Sequence, residues 1–405
     1  MKKHIVIVGG ALLTFPAYKI AQEELGLAVI GVDLDPNSPG MQRADVRLCL
    51  STKDVEAVVA AVMELSKSVR ICGVFTCGAD VEVTVAAIAA ALGLPSVSLE
   101  AASRCNNKIL MHHHLDALGF TAKARYVICR RDVEAMQAAR DVGFPCVVKP
   151  FDNCASRGVQ VIAQEADVVA AFALAASFNI NPDGQVIVEE FLAGSKHTIE
   201  MLAFEGQWHL LSIIDTHYIS ERWPCESLLH TTTLPASVQQ QLFIFSVAAA
   251  KAMGIDFGPH KVDVNLSPDG EIKLIELTAR LSGGFHCQYA SPLAHGSNDI
   301  RAALKLSIRM GLDVNDINHR WNRGAAVLSI FPPPGLITGV QGLEIARSSQ
   351  GVEEIFILRS AGERVGPYLN SGDRFAFVIA TGENPSDAIL NATSAASFLQ
   401  ISTEP

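Results

Sequence analysis

Strand and helix alternate through the first hundred residues, and this alternation limits the N-terminal fold more than any other feature of the chain. His4–Val8 reads as a strand closed by the Gly9-Gly10 turn, with a helix expected from about Phe15 to Leu25. A second strand, Ala28–Val32, ends at Asp33, and a helix near Val55–Leu65 precedes strand Gly73–Thr76 and helix Val81–Leu92, which Gly93 stops. Such βαβ order implies a parallel sheet with helices on both faces. Gly9-Gly10 with Asp33 about twenty residues on invites a nicotinamide reading. Positions 11–14 are Ala-Leu-Leu-Thr, however, so the GxGxxG fingerprint is missing. A Rossmann-like domain that binds no nicotinamide is the better account, and a nicotinamide dehydrogenase stands as the last alternative.

The character changes after Ala101. Helix Cys105–Leu118, with Lys108 in its first turn, ends at Gly119; strand Phe144–Lys149 then runs into a polar loop and strand Val159–Ala163. Helix Asp167–Phe178 and strands Val186–Phe191, Thr198–Phe204 and Trp208–Asp215 follow, then helix Ser237–Met253 and a hairpin, Lys261–Leu266 with Glu271–Leu277. Ser267-Pro268-Asp269-Gly270 supplies its turn. A last block opens near Gly324 with strand Ala325–Phe331, the turn Pro332–Pro334, strands near Glu354–Arg359 and Ala376–Thr381, and a helix from Pro385. The expected domains are 1–100 (α/β), 101–323 (α+β) and 324–405 (small, α+β).

Composition excludes several functions. A net charge of −10 opposes a nucleic-acid or anionic-membrane surface. No apolar run approaches the length of a membrane span. The Met1–Val8 start is read as a first buried strand and not a leader, because it breaks at Gly9-Gly10 with no small-residue cleavage site. Nine cysteines lie singly with no CxxC pair, which indicates neither a zinc site nor a disulfide framework and fits a reducing cytoplasm.

Three constellations carry chemistry. The hairpin holds Asp263, Glu276, Thr278 and Arg280, followed by Ser282-Gly283-Gly284. If Ser267–Gly270 form the loop, Leu266 pairs with Glu271 and Asp263 lies opposite Leu274, which makes Glu276 the diagonal neighbour of Asp263. Diagonal pairs sit ~7–8 Å apart, so two carboxylates there can converge on one cation. Mg²⁺ takes a few carboxylates together with water and phosphate oxygens, which makes a nucleotide its natural co-ligand. A solvated surface hairpin is the plain alternative, but an acid, an arginine and a glycine turn within nine residues favour a site. In the second constellation, strand Phe144–Lys149 delivers Lys149 to the loop Phe151–Gly158, whose backbone N–H groups can wrap phosphate. In the third, strand Val186–Phe191 ends in Glu189-Glu190-Phe191-Leu192, with Gly194 and His197 beyond. Its polar hinge can offer backbone groups to a base edge.

In this order and spacing the three constellations resemble the ATP-grasp superfamily, above all its carboxylate–amine ligases such as the bacterial L-amino-acid (dipeptide) ligases. The resemblance spans nearly the whole chain. Asp33-Leu-Asp-Pro, Arg43-Ala-Asp45 and Thr76-Cys-Gly-Ala-Asp80 look like the pre-ATP-grasp domain, and Phe331–Gly335, Asp373-Arg374 and Ala380-Thr-Gly382 like these ligases' C-terminal domain. It implies ATP and Mg²⁺ (or Mn²⁺) as cofactors, a nucleotide lid subdomain at about 120–188, Lys108 and Lys149 on the nucleotide phosphates, and Ser156, Arg157 and Gly158 in the lid loop. Glu189, Glu190, Phe191 and Leu192 become the adenine hinge, and His197 reaches toward the ribose. Asp263 and Glu276 hold the metal with Thr278 in the place of a usual asparagine. Lys149 and Arg280 are the catalytic charges, and Arg280, Ser282, Gly283, Gly284 and His286 face the substrates. Cys154-Ala155 stands in a lid loop that usually carries more glycine.

The implied reaction joins a small carboxylic acid to an amine through an acyl phosphate, releasing ADP and phosphate, in a cytoplasmic homodimer. His286 is a candidate base for the amine, beside an equally ordinary structural role. The alternatives are a purine-pathway carboxylase or formyl transferase built on the same ATP site, or an ATP sensor that does not turn over.

Overall fold

The computed structural model describes residues 2–181, 184–220 and 225–405. Its first sheet has four parallel strands in the order Val46–Leu48, Ala28–Val32, Lys3–Val8, Arg70–Phe75. All residues of Ala28–Val32 are buried, as expected for a strand covered on both faces. Asp33 Oδ2 accepts the Gly10 N–H at 2.6 Å, so the residue that invited a nicotinamide reading fastens its own domain's turn.

An eight-stranded antiparallel sheet forms the body of the molecule. Its order is Ile272–Thr278, Gly258–Leu266, Ser195–Phe204, Gln207–Tyr218, Glu226–Thr231, Gly324–Ile330, Ala376–Gly382, Val352–Ile357. The last three strands belong to the expected third domain, yet they continue this sheet through the pairing of Leu229 with Val327. Helix Ala236–Met253 packs one face, where Ile199, Met201, Val262, Val264, Leu274 and Leu277 are buried with Leu242 and Met253.

The segment expected as a lid is a separate antiparallel sheet, Tyr126–Cys129, Val186–Glu190, Cys146–Pro150, Gln160–Ile162, backed by helices Asp132–Val142 and Val168–Ser177. A fourth sheet, Arg364–Val365, Gly335–Gln341, Gln400–Glu404, lies in the last block.

The expected helix Cys105–Leu118 begins at Lys108, and a helix that was not expected precedes it. Leu99–Asn106 and Lys108–Ala117 are separated by Asn107, whose backbone is extended (φ −131°, ψ 110°) and whose side chain accepts from Ile109 N and Leu110 N. Asparagine competes well for the N-cap, so the helix restarts there and Lys108 becomes its first residue. Strands Tyr126–Cys129, Glu226–Thr231 and Gln400–Glu404 and helix Asp132–Val142 were not expected from the sequence.

Candidate active site

The hairpin register differs from expectation and brings the two acids closer. Ser267 N donates to Glu271 O at 2.9 Å and Gly270 takes a left-handed φ of +87°, so Glu271 belongs to the turn and Leu266 pairs with Ile272. A second irregularity between Asp263 and Val264 leaves Ile275 unpaired, and Asp263 sits directly opposite Glu276 instead of Leu274. Directly opposed residues share a face with Cα atoms about 4.5–5.5 Å apart, which suits one small cation better than a diagonal does.

Three charged or polar groups border the pair. Lys261 Nζ donates to Asp263 Oδ2 and, at 3.1 Å, to Glu276 Oε1. Thr198 Oγ1 donates to Asp263 Oδ1 at 2.7 Å, and Lys108 Nζ lies 3.8 Å from Glu276 Oε2. Lys261 holds the Glu276 carboxyl well below its usual range, whereas burial, reinforced by the charge of Glu276, raises Asp263. Thr278 Oγ1 is buried without a hydrogen-bond partner among the described residues. Two facing carboxylates and a free hydroxyl form an oxygen donor set of the kind Mg²⁺ accepts when phosphate and water complete it. Among the described residues no group of three or more His, Cys, Asp or Glu could hold a metal by itself.

Arg280 extends the charged surface toward the parallel sheet. Its Nη1 donates to Leu281 O at 3.0 Å, and Nε (3.2 Å) and Nη2 both reach Asp80 Oδ1. Burial raises the Asp80 pKa, but Arg280 outweighs it and leaves the carboxyl at about 2. Glu82 lies nearby with neither carboxylate oxygen hydrogen-bonded among the described residues, and burial and the Asp80 charge push it up to about 7.

Lys149 is buried in the lid sheet, where Nζ donates to Glu189 Oε2 at 2.7 Å; His112 Nε2 meets the other carboxylate oxygen at 2.8 Å. Burial opposes the Glu189 charge, yet Lys149 and His112 prevail and hold it at about 2. The next residues connect this sheet to the eight-stranded one: Glu190 pairs with Arg125 Nε (2.7 Å) and Lys273 Nζ (3.1 Å), and Leu192 O accepts from Lys196. In the lid loop Ala155, Ser156 and Gly158 are left-handed (φ 54°, 57° and 72°). Ser371 N donates to Ala155 O at 3.0 Å, tying that loop to the last block.

His197 is not brought to the acids. It pairs across the sheet with Val264, on the face opposite Asp263 and Thr198, and its ring nitrogens meet Asp215 Oδ1 and Ser195 Oγ, each at 2.7 Å. Lys196 and Thr198 occupy the acid-bearing face instead, and burial lowers the Lys196 ammonium to about 8.

The turn after Arg280 rests on buried polar groups. Glu200 Oε1 accepts Ser282 N–H at 2.8 Å, its Oε2 lies 3.3 Å from His286 Nδ1, and His286 Nε2 meets Ser212 Oγ at 2.8 Å. Burial lifts Glu200 to about 8 and depresses His286 to about 3, so both are neutral at pH 7. Gly283 runs beside Gly78, where an added Cβ would lie 3.5 Å from Gly78 O, and Gly284 is left-handed (φ +63°).

Sequence reasoning singled out neither Lys261, Thr198, Lys196 and Glu200 nor Asp80 and Glu82 as site residues. The strand period was a signal for the first four, since residues two apart share a face. For Asp80 and Glu82, far from Arg280 in sequence, the only signal was the motif around Asp80.

Residues 142–288 match the family model for an ATP-grasp domain, and 329–404 match that for L-amino acid ligase C-terminal domain 2. A D-alanine–D-alanine ligase of Stutzerimonas stutzeri is 29% identical over 164 residues, 38% of this chain and 48% of that protein. A formate-dependent phosphoribosylglycinamide formyltransferase of Anaeromyxobacter dehalogenans is 25% identical over 100% of both chains. The crystal structure of the L-amino acid ligase from Bacillus licheniformis superposes with a TM-score of 0.84 at 20% identity, covering 100% of this chain and 99% of that one.

Proposed function

The chain belongs to the ATP-grasp carboxylate–amine ligases, and from that premise we propose that it activates a small carboxylic acid, an amino acid or a close relative, with ATP and joins it to an amine. The arrangement that carries the reading is the directly opposed Asp263–Glu276 pair, bordered by Lys108, Lys261 and Arg280 and by the unpartnered Thr278 hydroxyl.

A carboxylate oxygen of the acid attacks the γ-phosphorus of ATP, the bond to the ADP oxygen breaks, and an acyl phosphate forms. The amine nitrogen then attacks its carbonyl carbon, loses a proton and expels phosphate. Phosphoryl transfer asks mainly for positioning and charge neutralisation. Lys108 and Lys149 serve the nucleotide phosphates and Arg280 the phosphoryl group in transit, while hinge residues Glu189–Leu192 border the adenine and loop Ser156–Gly158 covers the phosphates. Asp263 and Glu276, with Thr278 in support, would hold Mg²⁺, which supplies further neutralisation of the phosphate oxygens. Ser282–Gly284 offer a close backbone approach to the substrate carboxylate. His286, neutral and bonded through Nε2 to Ser212 Oγ, shapes that turn and is not assigned as the amine's base. The assembly expected is a homodimer in the cytoplasm; no described helix is long and apolar enough to cross a membrane.

With ATP, Mg²⁺ and hydroxylamine, a panel of carboxylic acids should yield a hydroxamate for the true substrate, with ADP formed in equal amount. Stoichiometric AMP and pyrophosphate would refute the acyl-phosphate route. The full-length match to a formyltransferase favours a second reading on the same ATP site. Phosphate release only with formate and phosphoribosylglycinamide would establish it.

A further inference from the structure

Lys261 is a buried charge for which the phosphoryl-transfer scheme has no task. It lies two residues before Asp263 on one strand and therefore on the same face. Its ammonium bonds to both facing carboxylates, and its side chain is only 12% exposed. Those carboxylates are the groups that would hold a divalent metal. A cation entering from solvent must displace a tethered ammonium already paired with both, with Lys108 3.8 Å away as a further repelling charge. Polyphosphate changes that balance, because it offers the ammonium a stronger cluster of anionic oxygens and brings oxygens that complete the metal's shell.

We propose that Lys261 is an internal counter-ion that makes divalent-metal binding at Asp263 and Glu276 conditional on a bound nucleotide. Without polyphosphate the ammonium neutralises the acids and excludes the metal. With polyphosphate its hydrogen bonds pass to phosphate oxygens and the acids are released to the metal. The inference rests on the nucleotide and metal reading above.

The test uses the full chain, with Mn²⁺ as a paramagnetic stand-in for Mg²⁺ read by electron paramagnetic resonance. Without nucleotide, Lys261→Met should bind Mn²⁺ at least about tenfold more tightly than wild type, since it removes the competing charge at similar volume. Binding of metal-free ATP in EDTA should weaken by about tenfold in the same variant, because that charge no longer meets phosphate. A purely structural lysine would weaken both, so the opposite signs are the signature. Equal nucleotide-free Mn²⁺ affinity in wild type and Lys261→Met would overturn the proposal. If the methionine variant does not fold, Lys261→Arg retains the charge and should bind nucleotide-free Mn²⁺ no better than wild type; tighter binding would overturn it equally. Wild type that holds no Mn²⁺ even with a non-hydrolysable ATP analogue would instead refute the nucleotide–metal reading itself. Mn²⁺ bound equally with and without the analogue would refute only the counter-ion.

Discussion

Glu189→Gln should loosen the lid sheet by about 3 kcal/mol. The carboxylate is buried between Lys149 Nζ at 2.7 Å and His112 Nε2 at 2.8 Å, and no side chain of the three is more than 8% exposed. Removing one partner of such a pair leaves an uncompensated buried charge and costs about 3–5 kcal/mol. Linkage leads to a similar figure. The Glu189 pKa falls from 4.5 to about 2, and at about 1.36 kcal/mol per pKa unit this is about 3 kcal/mol. Because the folded pKa is depressed, that stability is fully present above pH 4.5 and is lost as pH falls toward 2. Hydrogen exchange at the amides of Ile187 and Val188 reads the opening of this strand directly. Protection at pH 7 should drop by about a hundredfold in the variant, and the gap to wild type should narrow by about 1 kcal/mol by pH ~3.5. Protection unchanged within about threefold would mean that the Lys149–Glu189 pair contributes little, and would refute the reasoning.

Two further perturbations separate roles within the site. Thr278→Ala should raise the Mg²⁺ concentration for half-maximal turnover only about threefold to tenfold, whereas Glu276→Gln should nearly abolish turnover; Mg²⁺ titrations at saturating ATP distinguish them, and equal loss would make Thr278 a principal ligand. Glu200→Gln tests a pKa raised from 4.5 to about 8: the folded chain holds this proton more tightly, so stability falls as pH rises through that window. Melting curves should match wild type near pH 5 and show the glutamine variant up to about 4 kcal/mol more stable near pH 8, and a lower melting point at pH 8 would show an ionised Glu200.

Legibility followed the range of the interaction. Local signals held: Gly93 and Gly119 take left-handed φ values just past the helices they were expected to end, and the strand–helix alternation became the parallel sheet. Asn107 also carried a local signal, a cap residue inside an apolar helical run, but the continuous helical pattern outweighed it. Side-chain partners far apart in sequence left none. The Arg280–Asp80 pair is separated by 200 residues, and the Glu200–His286–Ser212 chain joins two strands to a later turn. The face of His197 was decidable from the two-residue period, given that Asp263 and Thr198 are neighbours, but that neighbour relation is itself a product of the fold.

The opposed acids depend on two irregularities that cancel. Placing Glu271 in the turn shifts the pairing by one residue relative to a four-residue loop, and a one-residue shift sends every side chain of the second strand to the other face. Continued regularly, that register would set Ile275 opposite Asp263 and turn Glu276 toward the apolar face that holds Val262 and Val264. The unpaired Ile275 inserts one residue and turns the strand back, so that Glu276 faces Asp263 while Leu274 and Leu277 both remain in the core. The bulge therefore satisfies two demands with one residue: apolar burial on either side of it, and two carboxylates on one face beyond it. A regular strand cannot bury both Leu274 and Leu277, three positions apart, on the same face.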